Sequence, residues 1–90
     1  MILKPEIIHV LQREITICEA AMSQLREKTG QLESQYGWST TTFLRLFNAG
    51  RAGDDQDLFR WYALAEALQD WQKTYDSLQE ILGNAELVLA

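Results

Sequence analysis

One cysteine, one histidine and one proline stand in ninety residues. Each scarcity excludes something. A lone thiol, Cys18, forms no internal disulfide, and no Cys/His spacing of the zinc kind exists. A metal centre wants three or four ligands, whereas His9 and Cys18 lie more than two helical turns apart and do not make a local pair. His9 therefore reads as helix surface and Cys18 as a small core residue. A phosphate-binding loop is also missing, since Gly50 and Gly53 lack both the glycine pattern and the lysine. No cofactor is implied. Nor does any apolar run approach the ~20 residues needed to cross a bilayer. The N-terminus lacks the basic start and continuous apolar block of a signal peptide, so cytoplasm is the expected location.

Basic residues are scarce in the second half. From Asp54 onward there are eight acids (Asp54, Asp55, Asp57, Glu66, Asp70, Asp76, Glu80, Glu86) but only Arg60 and Lys73 as bases. The formal net charge is -5. Such a half repels phosphate and anionic lipid, so neither nucleic acid nor membrane is an expected ligand. Asp54, Asp55 and Asp57 are spaced closely enough to suggest a cation loop. The twelve-residue frame fails, however, because Leu58 to Tyr62 occupy its middle, and helix capping is the better reading.

What is present is helix. Hydrophobic residues are 47% of the chain, and only five glycines and Pro5 interrupt it. A first long helix is expected over about 5–36. Pro5 suits a first helical turn, and Glu6 favours the dipole there. Its seam is Ile8, Leu11, Ile15, Cys18, Met22, Leu25, Thr29, Leu32 and Tyr36, a sustained 3-4 repeat of coiled-coil type. Gly30 is a candidate bend. After a turn at Gly37–Trp38, Ser39 can cap a short helix over about 40–48, with Phe43, Leu46 and Phe47 on its apolar face. Three consecutive threonines (Thr40–Thr42) make packing necessary to hold it.

A second long helix is expected over about 55–82, with seam Trp61, Leu64, Leu68, Trp71, Tyr75, Leu78 and Leu82. Leu58, Phe59 and Ala65 widen its apolar face. Gly83 with Asn84 is a candidate stop, which leaves residues 83–90 as a tail of open conformation. Ninety residues make a single domain. The fold class is all-α: an antiparallel hairpin of two long helices with a short connecting helix, expected to bundle as a dimer.

Nine aromatic residues, set among acids rather than in a basic groove, read as core rather than as base-stacking surface. Trp and Tyr are nonetheless enriched at protein interfaces. The most informative feature is a second apolar ladder on the first helix: Ile7, Val10, Ile17 and Ala21, interrupted by Glu14. A two-helix hairpin covers one face of that helix, and exposed apolar patches mark interfaces. These four residues are the candidate protein-binding site. The competing reading is that the tail, with Leu87, Val88 and Leu89, folds back over them.

The block Tyr36-Gly37-Trp38-Ser39, with Phe43, Phe47, Gly50, Gly53-Asp54-Asp55, Asp57 and Arg60-Trp61, resembles a motif of small prokaryotic helical proteins described as antitoxin-like and often encoded beside a toxin. The resemblance covers about residues 36–68. It implies a toxin-neutralising binding role. Antitoxins often carry a DNA-binding domain as well, but neither a helix-turn-helix of the usual dimensions nor a basic patch accompanies this block.

The expected function is thus non-catalytic protein binding through apolar helix faces, with a protein partner, a nearby-encoded toxin under the resemblance, and with self-association. The alternative is a purely structural homo-oligomerising module. An enzyme is disfavoured because the titratable residues do not converge.

Overall fold

A computed structural model describes the backbone of residues 3–89 and the side chains of residues 3–85. Three helices follow one another: α1 (Pro5–Tyr36), α2 (Thr40–Asn48) and α3 (Gln56–Leu89). Among the described residues there is no strand. α1 and α3 run antiparallel and make most of the tertiary contact, with α2 against α3 at the closed end. The molecule is elongated, 52 × 21 × 16 Å.

The two seams form one interface. Ile15, Cys18, Met22, Thr29 and Leu32 are buried on α1, while Leu58, Trp61, Ala65, Leu82 and Ala85 are buried on α3. Leu11, Leu25, Leu64, Leu68, Trp71 and Leu78 are half-buried between them. A two-helix layer cannot fully enclose its own seam, so partial burial at alternate positions is what this architecture allows.

α1 passes through Gly30 without a break. Glycine in a helix interior costs only about 0.5–1 kcal/mol relative to alanine, and the buried Thr29 and Leu32 on either side hold the turn against α3. The helix ends instead at Gly37, whose φ of 71° is left-handed and whose N–H donates to the Glu33 carbonyl. Glycine takes that conformation without a Cβ penalty.

α3 corrects the expected boundary. It does not stop at Gly83–Asn84 but continues to Leu89. Leu82 and Ala85 are both buried, so packing on each side of Gly83 outweighs its weak helix propensity. Residues 83–89 therefore extend the helix rather than fold back over α1, while the side chains of Leu87, Val88 and Leu89 lie outside those described. A second correction concerns Phe59. It does not widen the core but is 56% exposed. It precedes Trp61 by two residues, about 200° around the helix, so the two cannot share a face.

The closed end is an aromatic knot. Trp61 and Phe43 are both fully buried and stack at 4.1 Å with 4° between their planes. Tyr36 and Trp38 extend the stack at 5.9 and 6.5 Å from Trp61. The Trp61 indole N–H donates to Thr40 Oγ1 at 3.0 Å, which satisfies its one polar atom inside the core.

Two side chains cap α2. Ser39 Oγ accepts from the Thr42 N–H at 3.1 Å, as its position predicts. A second free N–H of the first turn is met from α1: Glu33 Oε2 accepts the Thr40 N–H at 2.7 Å. A carboxylate at a helix N-terminus also complements the dipole.

A candidate protein-interaction face on the open end

Ile7, Val10 and Ile17 are 45%, 43% and 44% exposed, and Ala21 is half-buried in line with them. Each stands one residue before a seam position: Ile7 before Ile8, Val10 before Leu11, Ile17 before Cys18, Ala21 before Met22. One residue is 100° of rotation, so they form a single strip flanking the seam.

α3 has the equivalent strip, which the sequence analysis did not single out. Thr74, Ser77 and Ile81 each precede a seam residue by one, and Ile81 is 38% exposed. A two-fold axis perpendicular to the plane of an antiparallel pair exchanges the helices while leaving each side of that plane in place. Flanks offset from their seams in the same rotational sense therefore lie on the same side. The α1 and α3 strips form one composite face, dented beside Trp71 by a hollow of about 180 Å³ lined by Asp70, Trp71 and Thr74.

The opposite side is different in character. There α2 packs on residues that follow the seam: Phe47 stacks on Tyr62 at 4.5 Å and meets Phe59 edge-on at 5.6 Å. Beyond α2 that side is polar. Arg26 Nη2 donates to Gln72 Oε1 at 3.1 Å, beside a groove of about 280 Å³ lined by Glu19, Met22, Arg26, Gln72 and Tyr75. α2 therefore covers the side away from the composite face.

The acids of the Asp54–Asp57 segment serve the closed end. The Tyr36 hydroxyl donates to Asp55 Oδ2 at 2.7 Å, and Gln35 Nε2 to Asp57 Oδ2 at 3.5 Å. The hydrogen bond to Asp55 pushes the Tyr36 pKa up to about 12. Tyr62 is raised as well, chiefly by hydrogen bonding to Glu66. Burial pushes the Cys18 thiol up, with Glu14 adding to the effect. His9 is exposed while Cys18 is buried at the seam, so the two are not brought together. Among the described residues no three His, Cys, Asp or Glu side chains gather as a metal site, and no helix is long and apolar enough to cross a membrane.

No family model, curated protein or solved structure matches the chain.

Proposed function

We propose that this chain is a non-catalytic protein-binding protein of the cytoplasm. It holds a partner protein against an apolar helix face, in the way that helices bind helices along shared grooves. In the antitoxin-like reading its central block invites, the partner is a toxin whose active surface or assembly it blocks. The observation that carries the binding role is the line of exposed Ile7, Val10 and Ile17 on α1, joined by Ile81 on α3. Less than half of each side chain remains to be covered, so the three together contribute about 2–4 kcal/mol to association, from ~1.5–3 kcal/mol for each full burial.

The central block supports the binding role indirectly. Tyr36, Trp38, Ser39, Phe43 and Trp61 fix the closed end through stacking and capping, which leaves the open end to present the face.

The test is the Val10→Lys/Ile17→Lys double variant, co-expressed with the product of the adjacent gene. Wild type is expected to co-purify with that product and to relieve any growth inhibition it causes, whereas the variant loses both with unchanged helix content by circular dichroism. Full binding by the variant would remove the face from the mechanism. An adjacent product that wild type does not bind would remove the antitoxin reading.

A further inference from the structure

The composite face carries few charges, and they come close to balance. Along α1 the strip reads Ile7, Val10, Glu14, Ile17, Ala21, Gln24, Lys28, Gln31, Gln35. Along α3, from Asp57 to Asn84, its charges are Asp57, Arg60 and Asp70. Three acids (Glu14, Asp57, Asp70) against two bases (Lys28, Arg60) leave the face with a formal charge of about -1 on a chain whose net charge is -5. An acidic protein that presents a nearly neutral face meets another acidic protein there with little repulsion, and a second copy of itself is such a protein.

The register sharpens this. The Arg26–Gln72 hydrogen bond, made by two long side chains, sets the level of α1 against α3 to about one helical turn. Stepping outward from it by equal numbers of residues puts Lys28 level with Asp70, Ala21 with Ser77, Ile17 with Ile81, and Glu14 with Asn84. Base stands level with acid, small with small, apolar with apolar, and carboxylate with amide, while toward the closed end Gln31 and Gln35 fall level with Ala67 and Ala63. These flanks point out of the hairpin rather than at each other, so the matching is realised when one copy's α1 lies on another copy's α3.

We propose that the composite face is occupied by a second copy of this chain, turned about a two-fold axis along the hairpin's length. The result is an antiparallel four-helix bundle in which α1 of each copy packs on α3 of the other. Lys28 of one copy then faces Asp70 of the other, twice, and Ile17 faces Ile81, twice. A copy turned end over end instead would set Ile7 and Val10 against the polar Gln24–Gln35 half of the strip. The molecule is 52 Å long and two helices side by side are about 20 Å wide with their side chains, so a full-length stack covers on the order of 1,000 Å² per copy, against the ~800 Å² per partner of a stable complex. Phe47, Phe59 and Tyr62 stay on the outer side of each hairpin. The inference rests on the composite face being a protein-binding surface and makes a second copy its occupant in the free protein, so that an outside partner docks there in exchange for that copy.

Charge exchange tests it. Lys28→Asp alone and Asp70→Lys alone each place two like-charged pairs across the interface, and each is expected to weaken the dimer roughly tenfold. An equimolar mixture of the two variants is expected to restore wild-type affinity, because every intermolecular pair in the mixed dimer is again of opposite sign. Pairs within a single chain remain like-charged in the mixture, so restoration reports contacts between copies alone. Sedimentation equilibrium gives the affinities, and circular dichroism confirms that both variants are folded. Dimers that ignore the substitutions, or a mixture no tighter than its components, would overturn the arrangement. A wild-type chain that stays monomeric at high concentration would overturn the second copy as occupant. If such a monomer still loses an outside partner through Val10→Lys/Ile17→Lys, the protein-binding reading survives while this one does not.

Discussion

Phe43 and Phe59 offer a controlled comparison, because the same deletion falls on two environments. Phe43 is fully buried, face to face with Trp61 at 4.1 Å. Phe43→Ala removes the transfer free energy of the ring, leaves a cavity and ends the stack, for about 3–5 kcal/mol in all. A domain of ninety residues has a total stability of about 5–13 kcal/mol. The substitution thus removes a large share of it, and α2, too short to persist alone, is released from α3. Phe59 is 56% exposed and touches Phe47 edge-on. Less than half of its ~2–3 kcal/mol burial term is at stake, and alanine returns about 0.5 kcal/mol in helix propensity. Phe59→Ala should therefore cost about 0.5 kcal/mol. The assay is urea unfolding followed by both far-UV circular dichroism and tryptophan fluorescence. In Trp71→Phe backgrounds, where fluorescence reports Trp38 and Trp61 alone, the fluorescence transition of Phe43→Ala should precede the helix transition. Two variants within ~1 kcal/mol of each other would refute the claim that the aromatic knot anchors the hairpin.

Other expectations follow from single residues. Gly30→Ala and Gly37→Ala should move the melting temperature in opposite directions. Nothing crowds a Cβ at either site, so the helical Gly30 gains ~0.5–1 kcal/mol, while Gly37, at φ 71°, loses ~1–2 kcal/mol. The folded chain holds the Tyr36 proton more tightly than the unfolded chain does, since its pKa rises from 10.0 to about 12. That contribution is complete below pH 10 and is lost as pH climbs to about 12, so urea melts across this range should fall less steeply in Tyr36→Phe than in wild type. The Cys18 thiol is 1% exposed, with its pKa raised by burial. A thiol reagent should modify it only at the rate of opening of the hairpin, and addition of urea should accelerate labelling in step with unfolding.

The repeat of 3 and 4 made both seams legible, because burial between two helices needs one stripe per helix and nothing else sets that period. α1 and α2 have the bounds that Pro5, Gly37, Ser39 and Gly50 indicate. The end of α3 was not legible. A glycine-asparagine pair is a stop signal only where tertiary contact is absent, and Leu82 and Ala85 supply that contact. The outward position of Phe59 is legible in the sequence, since its angle to Trp61 is fixed by helix geometry. The Glu33 cap was not visible, because capping rules look a few residues along the chain and Glu33 comes from the preceding helix. Half of the composite face was readable as Ile7, Val10, Ile17 and Ala21. Its other half, around Ile81, depends on which side of α3 lies beside the α1 strip, and only the antiparallel register decides that.

The layout of contacts also fixes an order of assembly. At the closed end the partners are near in sequence: Glu33 and Thr40 are seven residues apart, Tyr36 and Asp55 nineteen, Trp61 and Thr40 twenty-one. Arg26 and Gln72, midway along, are forty-six apart, and pairs nearer the open end are separated further still. Closing the short loops first divides the entropic cost of the long ones into small steps, since each helical turn docked brings the next pair within reach. Folding is accordingly expected to proceed as a zipper from the aromatic knot, with amide exchange slowest around Trp61 and quickening along both helices toward Pro5. The strip of Ile7, Val10 and Ile17 sits in the part that zips last and reopens first. A molecule docked on that strip therefore acts on kinetics as well as on equilibrium, latching the slow end of the zipper and lowering the rate at which the hairpin comes apart.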